Sequence, residues 1–196
     1  MIPLLATDPV LQVLFWIAIA FWLLAELVRG VWRRPPPGAT PHDRGSRLGI
    51  VVSVGIGIAL ATNLAFAVPQ AAIGGPRRVL TLAGIALMVV GELFRLYAIQ
   101  TLGQYFTFVV ALQPGQHVVE RGPYRLIRHP AYTGSLVTVF GICVALANWL
   151  ALLGMIPAVL GYAYRIRVEE RALVEGLGEE YLAYRRRTKR LIPYIV

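Results

Sequence analysis

Residues 131–164 read AYTGSLVTVFGICVALANWLALLGMIPAVLGYAY, 34 consecutive uncharged residues, and how often this stretch crosses an apolar layer decides the fold. As one helix it would measure ~50 Å, well beyond the ~30 Å hydrocarbon core of a bilayer. Two full spans with a loop would need more residues than it has. A helical hairpin turning near Asn148 and Trp149 fits, each arm a little short.

Working upstream, a third span is expected from Val79 to Leu102, after a turn at Gly74, Gly75 and Pro76. Leu48–Val68 reads as the second span, 21 residues without a charge. The polar segment Arg33–Arg47 precedes it, and its three consecutive prolines cannot continue a helix. The first span is expected from Val10 to Trp32, with Pro9 suited to its first turn. The start carries Asp8 and no basic leader, so this span is expected to be retained.

The charges test this count. Arg33, Arg34, Arg44 and Arg47 lie in the first loop, with Arg29 at its border, whereas the second loop has only Arg77 and Arg78. The third loop has Arg121, Arg125 and Arg128, and basic residues recur from Arg165 to Arg190. The positive-inside bias then predicts a cytoplasmic first loop, third loop and C-terminus, with the N-terminus outside. These placements agree only if residues 131–164 cross twice.

Composition supports a membrane solvent: 57% of residues are hydrophobic and 15% charged, with a mean hydropathy of +0.64, against ~45–50% and ~25% in soluble domains. The net charge of +9 does not point to nucleic acid, because the basic residues fall between and after apolar runs. A lone Cys143 excludes an intrachain disulfide, the scattered His42, His117 and His129 suggest no metal cluster, and the G-x-S-x-G elbow of esterases is missing. The expected fold is all-α, an integral membrane bundle of about five embedded helices plus a cytoplasmic C-terminal helix, as a single domain over 1–196. Leu173, Leu177, Tyr181 and Tyr184 give that last helix its apolar spacing.

Two stretches carry candidate chemistry. In QHVVERGPYRLIRHPAYTG, residues 116–134, Pro130 suits the first position of a helix and would set Tyr132 in its first turn, close to His129. An interfacial cluster of aromatic and basic residues would look the same. In YRIRVEERALVEGLGEE, residues 164–180, charges three and four apart share helix faces, and Glu175, Glu179 and Glu180 read as surface pairs. Arg165 and Glu169 directly follow the long uncharged run and are expected at the membrane edge, facing a cavity. Glu92 and Arg95 are expected to pair with each other, with Glu26 also within a span. Asn63 is expected to bond between helices and Asn148 to form a turn. Gly55 and Gly57 make no dinucleotide fingerprint.

The order GPYRLIRHPAYTG, an apolar hairpin, RIRVEERAL and GEEYLAY resembles the isoprenylcysteine carboxyl methyltransferase family, with related phospholipid N-methyltransferases sharing much of the pattern. The resemblance runs from about Leu102 to Pro193. It implies a pocket for S-adenosylmethionine formed by 103–134 and 164–193 on the cytoplasmic side. Carried over by position, cofactor contacts fall on Gln116, His117, Val118, Val119, Tyr124, His129, Pro130, Ala131, Tyr132 and Glu169, and the substrate-side arginine on Arg165. Where the family often has a small hydroxyl pair, this chain has Glu120 and Arg121, and its histidine is shifted by one, so Gln116 and His117 stand as alternatives for one contact.

The reaction so implied is direct methyl transfer to a nucleophile on a lipophilic or prenylated substrate, with membrane lipid as the other partner and no nucleic acid or metal. Glu169 would hold the cofactor's charged end, the rings of Tyr124 and Tyr132 would face its cationic sulfur, and Arg165 would grip a substrate carboxylate with both prongs. No obvious general base is present, which favours a carboxyl acceptor. One alternative is an NADPH-dependent sterol-type reductase, which shares an Arg-His-Pro-x-Tyr element but has Asn where this chain has Ala131. A non-catalytic scaffold or transporter is the other, although no inverted repeat is visible.

Overall fold

The uncharged stretch does fold back on itself. In a computed structural model, which describes residues 2–32, 40–41 and 43–193, helix α4 (Pro130–Ala145) is followed by a 3-10 turn over Trp149–Gly154 and then by α5 (Met155–Leu177). Asn148 makes the turn: its side chain accepts from the Leu150 amide at 2.9 Å and donates to the Val68 carbonyl at 3.1 Å. Pro130 is the first residue of α4, where its missing N–H costs nothing. With 16 residues, α4 spans only ~24 Å.

The other spans fall close to their expected limits, as α1 (Pro9–Trp32), α2 (Ser46–Ala67) and α3 (Arg77–Leu102). Four of the five helices are long and apolar enough to cross a membrane, and α4 is the short fifth. The chain is a multi-pass membrane protein. Leu23, Leu24, Leu27 and many other large apolar side chains stay exposed on the bundle, as a lipid-facing surface requires. Arg33, Arg34, the prolines 35–37 and His42 lie outside the described residues, as does the side chain of Arg29.

Glycines bring α3 and α4 together. Gly91 faces Gly134 and Gly84 faces Gly141 so closely that a Cβ on Gly134 would sit 2.6 Å from the Gly91 carbonyl oxygen. Close backbone approach of this kind replaces the hydrophobic drive that is missing between helices in lipid.

Two polar contacts and one helix boundary differ from expectation. Arg95 pairs with Glu26 of α1, at 2.7 Å from Nε, rather than with Glu92, and it also donates to the Ala131 carbonyl at 3.1 Å and the Ser135 hydroxyl at 2.7 Å. The Asn63 side chain bonds to Ala59 of its own helix. The charged tail does not start a new helix after Tyr164. Helix α5 runs on to Leu177, and the break comes at Gly178, whose φ of +53° suits glycine, before α6 (Glu179–Arg187).

The loops sort to two ends. At one, Ala72 bridges Asn148, joining the second connection to the hairpin turn. At the other, a short antiparallel pair, β1 (Thr40–Pro41) with β2 (Ala111–Leu112), joins the first connection to the third. There the tail is also sewn to the third connection: the Arg128 amide donates to the Lys189 carbonyl at 2.7 Å, and the Lys189 amide to the Leu126 carbonyl at 3.1 Å.

Candidate active site

At this second end the chain encloses a cleft of about 900 Å³, counting its open mouth. Its walls come from the end of α3, the third connection, the start of α4, the middle of α5 and α6. Nine of the ten residues carried over as cofactor contacts line it: Gln116, His117, Val118, Val119, Tyr124, His129, Ala131, Tyr132 and Glu169. Pro130 does not, because the first residue of α4 is packed into the bundle and fully buried. Arg165 lines the cleft from α5.

Glu169 and Arg165 do not touch as a simple helical pair; Tyr132 stands between them. Its hydroxyl donates to Glu169 Oε2 at 2.6 Å and accepts from Arg165 Nε at 3.0 Å. The His129 ring stacks on Tyr132, centroids 5.5 Å apart, and its Nδ1 lies 3.7 Å from Glu169 Oε2. The glutamate itself keeps 28% of its side chain exposed. Its Oε1 makes none of these contacts.

Arg165 is more committed than its place in the sequence suggests. Beyond Tyr132, Nη1 donates to Asp43 and to the Ser46 hydroxyl (2.7 Å), and Nη2 donates to the Phe108 carbonyl at 2.8 Å. Four of the guanidinium's five N–H donors are therefore taken, leaving one on Nη2. A two-pronged grip on a substrate is not open to Arg165 as placed.

Gln116 and His117 both border the cleft but behave differently. The Gln116 side-chain carbonyl accepts from the Gln113 amide at 3.1 Å, tightening the loop. His117 points outward, 74% exposed, with Nδ1 3.5 Å from Glu180. Glu180 also accepts from the Val118 amide at 2.8 Å, so this residue, read from sequence as a surface charge, clips the cleft wall to α6.

Glu170 was equally hidden. It is buried, with Oε1 3.0 Å from Arg128 Nε and 3.4 Å from His129 Nε2, and Oε2 3.2 Å from Arg190 Nη2. It stands three residues after Arg167, a spacing that puts the two on one helix face, and only the returning tail supplies Arg190. Tyr184 donates to the Tyr124 carbonyl at 2.8 Å, tying α6 under the third connection. Burial pushes the Tyr124 phenol upward, reinforced by the Glu169 carboxylate, so it is neutral at physiological pH. Burial acts to raise the Asp43 carboxyl, but hydrogen bonds from the Arg47 and Val110 amides and the Arg165 charge outweigh it and hold it below its ordinary value.

Among the residues around the cleft, one fully buried side-chain polar atom has no protein partner among the described residues, the hydroxyl of Tyr181, a residue only 3% exposed. An unmet buried hydroxyl costs about 1–3 kcal/mol.

Comparison with known proteins follows the same outline. The sequence model of the isoprenylcysteine carboxyl methyltransferase (ICMT) family matches residues 84–175. Protein-S-isoprenylcysteine O-methyltransferase B of Arabidopsis thaliana is 31% identical over 115 residues, 57% of this chain and 58% of that protein. The Saccharomyces cerevisiae protein-S-isoprenylcysteine O-methyltransferase is 34% identical over 118 residues, 59% of this chain and 49% of that protein. The matches with these curated relatives thus span about half to three fifths of their length. A solved structure of the eukaryotic intramembrane Ras methyltransferase, isoprenylcysteine carboxyl methyltransferase, superposes with a TM-score of 0.56 at 22% identity, over 92% of this chain and 61% of that one, and so shares the fold. The residues that match the isoprenylcysteine carboxyl methyltransferase family's sequence model, 84–175, are thus those that carry most of the α3–α5 core and of the cleft wall.

Proposed function

We propose that this chain is a membrane-embedded methyltransferase that uses S-adenosylmethionine and acts on a carboxylate of a lipophilic molecule, an S-prenylated cysteine being the leading candidate. The carrying observation is the cleft itself, with Tyr132 joining Glu169 to Arg165 on its wall. Its residues suit the cofactor: an accessible carboxylate on Glu169 for an ammonium and aromatic rings for a cationic sulfur.

Bound there, the cofactor supplies an activated methyl group on a sulfonium. The chain's own residues position the partners and keep water out. Glu169 holds a cation while Tyr132, donating to Oε2, fixes its rotamer. Arg165 offers one remaining N–H to an acceptor carboxylate, which is already a nucleophile at neutral pH and needs no general base. The polar end of the cleft and the apolar bundle together suit an acceptor with a charged head and a lipid tail. Since the cleft lies at the end where the first loop, third loop and tail meet, we assign that end to the cytoplasm from its arginines.

The test is binding of radiolabelled S-adenosylmethionine to detergent-purified protein, followed by methyl transfer to an S-prenylated cysteine bearing a free carboxylate. Saturable binding displaced by S-adenosylhomocysteine is expected. Stabilisation by NADPH with no response to either compound would overturn the proposal.

A further inference from the structure

Asp43 lies in the connection before α2, outside the cleft lining and outside the family-matched stretch. Its two oxygens do different things. Oδ2 accepts from the Arg47 amide at 3.2 Å, as a residue capping α2 would. Oδ1 accepts from Arg165 Nη1, from the Ser46 hydroxyl at 3.1 Å and from the Val110 amide at 3.3 Å. Ser46, fully buried, accepts from the same Nη1 at 2.7 Å. Three segments far apart in sequence, the start of α2, the cleft wall at 108–110 and α5, are therefore joined through one carboxylate and one guanidinium.

We propose that Asp43 is a positioning residue for the transfer reaction, acting through Arg165. The inference rests on the methyltransferase reading above. Asp43 and Ser46 occupy both N–H groups of Nη1, Tyr132 occupies Nε, and Phe108 takes one N–H of Nη2. With three sides held, the guanidinium plane cannot swing, and the single remaining N–H has one place to point. Asp43 also neutralises a cation that is only 5% exposed in its side chain, and that a lone guanidinium would hold at a high desolvation cost. A polar group fixed in this way can orient an acceptor to within the distance tolerance of an in-line displacement, where a 1 Å error costs roughly 100-fold.

The experiment compares the full chain in detergent with Asp43→Ser, Arg165→Ala and the double variant, with Asp43→Asn as a second probe. Serine keeps the helix-capping oxygen but cannot span the cap and Arg165 together. Asp43→Ser should lower turnover roughly 10- to 100-fold while S-adenosylmethionine affinity stays within about twofold. The double variant should be no slower than Arg165→Ala alone, because Asp43 acts through that residue. Losses that multiply in the double variant, or wild-type turnover in both Asp43 variants, would overturn the proposal. A second readout needs no turnover: hydrogen exchange across 106–112 in ligand-free protein should quicken in Asp43→Ser and in Arg165→Ala. Unchanged exchange in Asp43→Ser overturns the positioning role, whereas a wild-type chain that transfers no methyl group counts against the methyltransferase reading instead.

Discussion

Glu169 and Glu170 are adjacent on α5, ~100° apart around the helix, and the structure gives them opposite work. Replacing Glu170 by alanine removes the carboxylate that Arg128, Arg190 and His129 share. Removing one member of a buried ion pair costs about 3–5 kcal/mol. Two features pull the value toward the lower end. Arg128 keeps the carbonyls of Arg185 and Thr188. Arg190 is 43% exposed, and water can take the place of its partner at a cost of ~0–1 kcal/mol. The expected loss is about 3 kcal/mol, and Glu170→Gln, which keeps an acceptor but not the charge, should lose about half of that. Glu169→Ala should cost only about 1 kcal/mol, since Glu169 is part-exposed and Tyr132 retains Arg165 as a partner. Ligand affinity should show the reverse order, with Glu169→Ala weakening S-adenosylmethionine binding at least tenfold. Unfolding of the purified protein in detergent, with limited proteolysis of 188–193, measures the first, and equilibrium binding the second. Glu170→Ala unfolding within ~0.5 kcal/mol of wild type, its tail still protected, would refute the assignment of Glu170 as the bond between tail and third connection.

Tyr181→Phe should leave the protein as stable as wild type or up to about 1 kcal/mol more so, because an unmet buried hydroxyl is removed; thermal melts read the effect, and a clear loss of stability would mean that the hydroxyl has a partner. Gly134→Ala should destabilise the bundle by about 1–3 kcal/mol through overpacking, since its Cβ would meet the Gly91 carbonyl and Arg95 at under 3 Å; a wild-type melt would mean that α3 and α4 can separate freely. Reporter fusions after Pro76 should read external, and those after Pro37, after Gly115 and at the C-terminus cytoplasmic; an external C-terminus would contradict the assigned sidedness.

Hydrophobic runs, proline punctuation and the arginine bias were enough to place the spans, because a bilayer demands long apolar helices whatever the rest of the chain does. The count of 34 uncharged residues, together with charge bias, was enough to require a hairpin between Ala131 and Tyr164. The family resemblance, carried over by position, gathered nine residues that line one cleft. What the sequence could not carry is who meets whom across distance. Arg95 chose Glu26, 69 residues away, over Glu92 on its own helix, and Arg165 chose Asp43, 122 residues away, because both partners converge only after α1 and α2 pack against the bundle. Glu170 gains Arg190 as a partner only because the tail returns beside α4. Local spacing fixes which side chains share a helix face, but burial and the pairing of charges depend on which other segment covers that face. That is set by packing of the whole bundle, where the glycines at 84, 91, 134 and 141 let two backbones close to contact.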